Sequence, residues 1–380
     1  MDTEGGTSPT TTDNPTTDNP TTDNPATTVS EPTAGVDTSG GDDTCGDGMI
    51  TGAEACDDGG TSDGDGCSST CAQEPGFSCE GEPSVCTSMC GDGVPTPDEE
   101  CDDGNVLDED GCDECAIEPG WACTQDSPSV CTSSCGDGMI MGAEVCDDGD
   151  AIDGNGCSAQ CTVELYFRCV SEGPGSCQPI RILYGSADVD DPAHRAAIAD
   201  ITGGTVEHIN TLDQTPSLPD LTGNYDCVFT YASNPYADGG AFGSNLANFV
   251  DFGGNVVLGV VAPLPAAGLV GSPIMEPMYS PIAPTSGVDD LAMPVSYNGD
   301  GTTVIVQDII GFGIGQAIDE TPALQGAGIA DGTYSNGSIA IAYRPDFKVV
   351  YLNGAGSASL NPGGGWPRLT ANACAAGFVQ

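Results

Sequence analysis

Cys45-Gly46-Asp47-Gly48-Met49-Ile50-Thr51-Gly52-Ala53-Glu54-Ala55-Cys56-Asp57-Asp58-Gly59-Gly60 decides how the front of the chain folds, because it returns twice. It reads CGDGVPTPDEECDDGN from Cys90 and CGDGMIMGAEVCDDGD from Cys135, a period of 45 residues. Each block holds six cysteines. They are Cys45, Cys56, Cys67, Cys71, Cys79 and Cys86; Cys90, Cys101, Cys112, Cys115, Cys123 and Cys131; and Cys135, Cys146, Cys157, Cys161, Cys169 and Cys177. Such density, in even numbers at near-constant spacing, marks a disulfide scaffold made in an oxidising compartment. Zinc is the competing use of clustered cysteine, but it needs CxxC pairs or Cys/His sets. Only Cys112 and Cys115 form a CxxC, and neither histidine lies in the blocks. Six cysteines allow fifteen pairings, and spacing does not choose among them.

Three units follow, 45–89, 90–134 and 135–179. They are too poor in large apolar residues for a conventional core, so bridges of about 2–4 kcal/mol each supply the stability. Each unit keeps one aromatic two residues before its fifth cysteine, Phe77, Trp121 or Phe167, expected to cover the disulfides. Repeats of this kind stack or string out along one dimension, which predicts a stalk.

Charge narrows the partners. The formal net charge is -52, with six basic residues against 58 acidic, and Arg168 is the first basic residue of the chain. Such a surface repels nucleic acid and anionic lipid and attracts cations and basic partners. No run of about eighteen apolar residues exists to span a membrane. Residues 1–44 are mainly Thr, Asp, Pro, Gly and Ser with almost nothing apolar, and TTDNP occurs three times in tandem from Thr11 to Pro25. That composition predicts a disordered tether. No signal peptide follows Met1, so an exported chain is expected to start after a removed signal, a lipid anchor upstream being compatible with it.

From residue 180 to 380 the grammar changes. Apolar or β-rich runs at Arg181–Gly185, Thr205–Thr211, Tyr225–Tyr231 and Asn255–Val261 alternate with helix-compatible stretches at Pro192–Ile201 and Ser244–Asp251. Thr302–Ile309, Ser338–Tyr343 and Phe347–Leu352 read as further β-rich runs, and Trp366–Ala376 as a closing helix. Strands buried on both sides and alternating with helices predict an α/β domain, a mainly parallel sheet covered on both faces. Residues 262–300 fit no element. Cys227, in a predicted core strand, and Cys374, in the closing helix, are expected to form a disulfide pinning that helix to the sheet.

The unit CGDG-x3-(G/P)-x-E-x-C-D-D-G, with its Asp/Gly loop and C-x(2–3)-C, resembles the Myxococcus-type cysteine-rich repeat. That family occurs on secreted and surface proteins of myxobacteria and in some metalloprotease ectodomains. The resemblance implies an extracellular disulfide module without catalytic activity of its own. The third copy departs from it by losing the Pro-Gly of EPGF and EPGW, reading Glu164-Leu165-Tyr166-Phe167. The domain at 180–380 more loosely resembles the class I glutamine amidotransferase-like, flavodoxin-like three-layer fold. Tyr225-Asp226-Cys227-Val228, Leu246–Val257 and Trp366–Ala373 carry that likeness. It implies a nucleophilic Cys at a sharp turn after Asn255–Val261 and a late His-Glu pair. The turn reads Ala262-Pro263-Leu264-Pro265, and no histidine follows His208, so nucleophile and base are both missing.

The acidic loops are the candidate metal ligands: Asp57, Asp58, Asp63 and Asp65; Asp102, Asp103, Asp108 and Asp110; Asp147, Asp148, Asp153 and Asn155. Glycine-punctuated Asp loops can wrap calcium, which takes six to eight oxygen ligands. The spacing is not that of an EF-hand, and solvated acidic turns are the alternative. His194 lies at a predicted helix start and His208 in the second half of a predicted strand. Strand ends in such sheets border crevices, though satisfied or solvated histidines are the commoner case.

The reading is a secreted or outer-surface, non-enzymatic protein: a tether, a disulfide stalk, and a degenerate α/β domain binding a surface glycan or protein. One alternative is an extracellular hydrolase of surface polysaccharide or peptide, with Asp289 and Asp290 as acid and base. Another is a purely structural spacer.

Overall fold

This computed structural model describes residues 44–379, apart from positions 233, 286, 288, 291–293, 316, 320 and 355–361. The expected tether, save Thr44, lies outside the described residues.

Of fifteen pairings the repeats use one, three times over. The first cysteine bonds the fourth and the second bonds the third. Thus Cys45–Cys71 encloses Cys56–Cys67, Cys90–Cys115 encloses Cys101–Cys112, and Cys135–Cys161 encloses Cys146–Cys157. The fifth and sixth close a short antiparallel hairpin, as Cys79–Cys86, Cys123–Cys131 and Cys169–Cys177. The hairpin strands are Phe77–Glu80 with Val85–Ser88, Trp121–Cys123 with Cys131–Ser133, and Phe167–Cys169 with Cys177–Pro179. As expected, the aromatic covers sulfur: Phe167 packs on Cys146, Cys157, Cys161 and Cys177.

Each hairpin begins at a corner that abuts what comes next. The carbonyl of Gly76 accepts from Met89 N at 2.8 Å, that of Gly120 from Ser134 N at 2.9 Å, and that of Tyr166 from Ile180 N at 2.9 Å. Gly76 and Gly120 both have φ +84°. A Cβ on Gly76 would stand 2.7 Å from Thr96 Cγ2, and one on Gly120 would stand 2.9 Å from Met141 Cγ, each in the following unit. The third unit puts Tyr166 there, at φ +76°.

The seven strands of the C-terminal sheet are β1 (Ile182–Ala187), β2 (Val206–Asn210), β3 (Cys227–Ala232), β4 (Asn255–Gly259), β5 (Ile329–Ala330), β6 (Ile341–Tyr343) and β7 (Val349–Leu352). Their order is β2-β1-β3-β4-β7-β6-β5. The neighbours from β2 to β7 pair in parallel, and β6 and β5 are antiparallel at one edge, so the sheet is mixed. Among the described residues four α-helices accompany it: α1 (Pro192–Thr202), α2 (Leu218–Asn224), α3 (Gly239–Asp251) and α4 (Trp366–Ala375). Strand side chains alternate between two cores. Ile182, Tyr184, Phe229, Tyr231 and Val257 join Ile198 of α1 and Leu369 of α4. Leu183, Val228, Val256 and Leu258 join Leu221 of α2 with Phe242 and Leu246 of α3. Cys227 and Cys374, both fully buried, form the expected bridge between β3 and α4.

Three local expectations are corrected. Thr302–Ile309 is not a strand: Val304–Val306 is a short 3-10 helix capped by the Thr303 side chain. The Asn372 amide of α4 donates to the carbonyls of Ile305 at 3.1 Å and Gln307 at 2.8 Å, and such tertiary bonds override β propensity. α3 starts five residues before the expected Ser244, because Asp238 caps Ala241 N despite Gly239 and Gly240. α2 had no counterpart in the pattern; Ser217 caps it, with Pro219 in its first turn.

Candidate functional site

β4 ends in the turn where an amidotransferase-like domain would carry its nucleophile. Val261 there has φ +76°, a conformation that a β-branched residue adopts only under strain. Its side chain is apolar and packs against the core. The turn continues through Ala262 and Pro263 to a 3-10 helix at Pro265–Ala267.

A polar cluster lies on the far side of β3, on β1, β2 and the loop after β1. Ser186 Oγ is 3.1 Å from His208 Nε2, and His208 Nδ1 is 3.9 Å from Asp190 Oδ1. The order Ser, His, Asp invites comparison with a hydrolytic triad, but three facts count against that chemistry. The His–Asp separation is too long for a hydrogen bond. Asp190 is held bidentately by Arg195, with Nε to Oδ1 and Nη2 to Oδ2 both at 2.7 Å. Ser186 is fully buried. Burial lowers the pKa of His208, opposed by Asp190. His194, at the start of α1, faces the Tyr184 ring at 5.9 Å. It is buried, its Nε2 has no hydrogen-bond partner among the described residues, and burial drives its pKa down to about 4, opposed by Asp191. Burial thus favours the neutral form of both histidines.

Asp289 and Asp290, the acid–base pair of the hydrolase alternative, form a two-residue strand against Ala317–Ile318; their side chains lie outside what is described.

The acidic loops turn inward on the backbone. Asp57 Oδ2 accepts from Gly46 N at 2.9 Å and Asp47 N at 3.2 Å, and Oδ1 accepts from Gly48 N and Gly59 N, both at 2.9 Å. Asp102 repeats this with Gly91, Asp92, Gly93 and Gly104, and Asp147 with Gly136, Asp137, Gly138 and Gly149. Four N–H dipoles per carboxylate make a nest for an anion. Burial raises the Asp57 pKa, but its backbone donors outweigh that and hold it below the usual range. Both oxygens of these three candidate calcium ligands are engaged by backbone donors.

The remaining nine are scattered in local turns. Asp58, Asp103 and Asp148 accept from the backbone two residues on, and Asp63 and Asp153 accept from Ser69 N and Ala159 N. Asp110 accepts from Asn105, Asn155 donates to Asp150, and Asp65 is exposed. Hydrogen bonding to Glu118 raises the Asp108 pKa. Among the described residues, every set of three metal-ligand side chains that converges includes a disulfide-bonded cysteine.

A second family of carboxylates went unrecognised in the pattern. Glu74 binds Gly64 N and Gly66 N, Glu118 binds Glu109 N and Gly111 N, and Glu164 binds Gly154 N and Gly156 N. The Glu of EPG or ELY recurring every 44–46 residues was the available signal.

Several cavities among the described residues are large enough for a small ligand, and two of them adjoin the sheet ends or the third repeat. One, of about 490 Å³, is lined by Ser296, Tyr297, Phe312, Gly313, Gly315 and their neighbours. It belongs to a small sheet of Val295–Ser296, Phe312–Ile314 and Pro362–Gly364. That sheet adjoins the C-terminal end of β7, since a Cβ on Gly354 would meet Ile314 Cδ1 at 2.9 Å. Tyr297 and Phe312 stack with centroids 4.5 Å apart. The other, of about 610 Å³, lies between the third repeat and the α/β domain, lined by Arg168, Pro179, Arg181, Gly204 and Asp226 among others.

Residues 42–72, 73–116 and 118–162 match the model of DUF4215, a domain of unknown function. The two longer matches each run from one unit's hairpin into the nested bridges of the next. No curated protein matches the chain. Among solved structures, a protein from Bacteroides uniformis ATCC 8492 described as ThuA-like aligns at 12% identity, covering 51% of this chain and 89% of that one. Its TM-score of 0.33 is too low to bear on the fold. Nested disulfides in a chain without a free cysteine fit an extracellular or otherwise oxidising compartment. Among the described residues no helix is long and apolar enough to cross a membrane.

Proposed function

We propose that this is an exported, non-enzymatic binding protein, whose disulfide repeats present a degenerate amidotransferase-like α/β domain. The parallel strand order 2-1-3-4-7 supports a flavodoxin-like ancestry. The observation that carries the reading is Val261: the strained turn of a nucleophile elbow is kept, with an inert side chain upon it. The Ser186–His208–Asp190 line offers no substitute, since its serine is buried and its aspartate is committed to Arg195.

The ligand is a neutral surface glycan, taken in the Tyr297–Phe312 cavity at the strand ends. An aromatic pair flanked by glycine backbone suits a sugar's apolar face and its hydroxyls. A chain of net charge -52 disfavours an acidic polysaccharide. The test is a glycan-array screen of the full chain and its Tyr297→Ala variant, with reducing-sugar and peptide-release assays on any hit. Binding that Tyr297→Ala abolishes, without turnover, is expected. Turnover would restore the hydrolase alternative, and no hit on neutral glycans would remove this ligand class.

A further inference from the structure

Two interfaces within the chain define a third surface that no hairpin corner among the described residues covers, its Ile50 N donating only to Glu82 of its own unit at 3.0 Å. The corner of the first unit, Gly76, sits on Val94 and Thr96 of the second. The corner of the second, Gly120 with Trp121, sits on Met139, Met141 and Gly142 of the third, a Cβ on Gly142 meeting Trp121 Cη2 at 2.9 Å. The receiving face is thus the stretch after CGDG. In the first unit that stretch is Met49-Ile50-Thr51-Gly52, against Met139-Ile140-Met141-Gly142 in the third. Its backbone is already in the receiving form, with φ +62° at Gly52 and +56° at Gly142. Yet Met49 is 49% and Ile50 40% exposed, whereas Val94, Pro95, Met139 and Ile140 are all partly covered. The family matches describe the same asymmetry. Those at 73–116 and 118–162 contain a hairpin and the face it covers, while that at 42–72 contains a face without a hairpin.

We propose that the Met49–Gly52 face docks the hairpin corner of a further cysteine-rich repeat of this kind, one that lies outside residues 44–379. A second copy of this chain cannot supply that corner. Its three corners are already engaged, at Gly76 on its second unit, at Gly120 on its third, and at Tyr166 on its α/β domain. Residues 1–44 cannot imitate it either, because they contain no aromatic residue. What fits is a Pro-Gly-aromatic corner on a disulfide-closed hairpin, left free at the C-terminal end of a repeat. Such heterologous, end-to-end docking extends the array by one unit.

The probe is a synthetic peptide of residues 118–134, closed by the Cys123–Cys131 bridge and fluorescently labelled, titrated with the full oxidised chain. Fluorescence anisotropy should saturate below about 1 mM, the effective concentration that a short linker provides within one chain. Ile50→Asp and Met49→Glu, both at exposed positions and checked for intact bridges by mass, should each weaken binding about tenfold or more, a free-energy loss of about 1.4 kcal/mol. The Trp121→Ala peptide should not bind. No saturation by about 1 mM overturns the proposal, whether the face is inert or already covered by residues 1–43. Equal binding by both face variants overturns it as well.

Discussion

Tyr166 Oη donates to Asn372 Oδ1 at 2.5 Å, joining the corner of the third repeat to the closing helix of the α/β domain across 206 residues of chain. Arg368 Nη1 donates to the same hydroxyl at 3.4 Å, and Leu165 and Tyr166 pack on the core that contains Leu369. Tyr166 occupies the site of Gly76 and Gly120, where an L side chain costs about 1–2 kcal/mol in the left-handed region. Docking on the α/β domain offsets that strain. The third repeat is therefore built into the domain that follows it.

Tyr166→Phe keeps the ring and removes the hydrogen bond, so it should lower stability of the α/β domain by about 1 kcal/mol in urea unfolding. Tyr166→Gly relieves the backbone but abandons the ring, and its net loss should be larger, about 2 kcal/mol. A glycine variant as stable as the wild type would mean that the docking does no more than balance the backbone strain.

Arg168 crosses the same junction to Asp226, Nη1 to Oδ1 at 2.7 Å, while Arg181 holds both oxygens of that carboxylate at 3.0 Å. Burial raises the Asp226 pKa, but hydrogen bonds from Arg181 and Arg168 outweigh it and depress the value. The group's stabilisation is therefore present above the unfolded-state pKa of about 3.9 and is lost as pH falls through the lower folded one. Arg168→Met should raise the acid-unfolding midpoint and cost about 1–2 kcal/mol at pH 7, less than for a pair losing its only partner, because Arg181 remains. The check is acid titration of near-ultraviolet circular dichroism.

Much of the fold could be read from residue order alone, for a physical reason. Runs such as Asn255–Val261 are apolar on both faces, which only a strand covered on both sides tolerates, and bridges require cysteines in even number. Pairing within a unit was not legible, because it depends on which loops the carboxylates fold around. Asp57 reads equally as a cation ligand or as an acidic turn, and in the fold it is a carboxylate about which Gly46, Asp47 and Gly48 wrap. Carboxylate spacing is the same in either case; what differs is the direction of the neighbouring N–H groups. The loss of Pro-Gly before Phe167 was visible, but its meaning needed Asn372 in space, 206 residues away.

His194 gives a pH dependence of its own. A histidine whose folded pKa is depressed to about 4 takes up its proton in the unfolded chain first, so stability falls as pH drops from about 6.5 toward 4 and then levels off. A shift of about 2.5 units corresponds to about 3 kcal/mol. His208, lowered by burial in the same sense, adds to the slope. Urea midpoints measured at pH 7, 5.5 and 4.5 should decline steadily, and His194→Gln should flatten most of that decline. A wild-type midpoint constant across the window would place His194 in contact with solvent.

Calcium provides the sharpest test of the acidic loops. If the Asp sets were cation sites, saturating calcium would stabilise the repeats by about 2.7 kcal/mol at one hundred times Kd, raising Tm by roughly 4–8 °C per kcal/mol for units of this size. Asp57, Asp102 and Asp147 already receive four N–H donors each, and a cation beside them would meet those dipoles end-on. The expected result is an unchanged Tm for the chelator-treated, oxidised chain with and without millimolar calcium. Asp102→Ala should be severe in any buffer, since Gly91, Asp92, Gly93 and Gly104 then lose their acceptor together. Thiol counting after oxidative refolding should find Cys90–Cys115 and Cys101–Cys112 incompletely formed in that variant. A calcium-dependent rise in Tm that Asp102→Ala leaves intact would locate a site in the outer carboxylates, Asp103, Asp108 and Asp110.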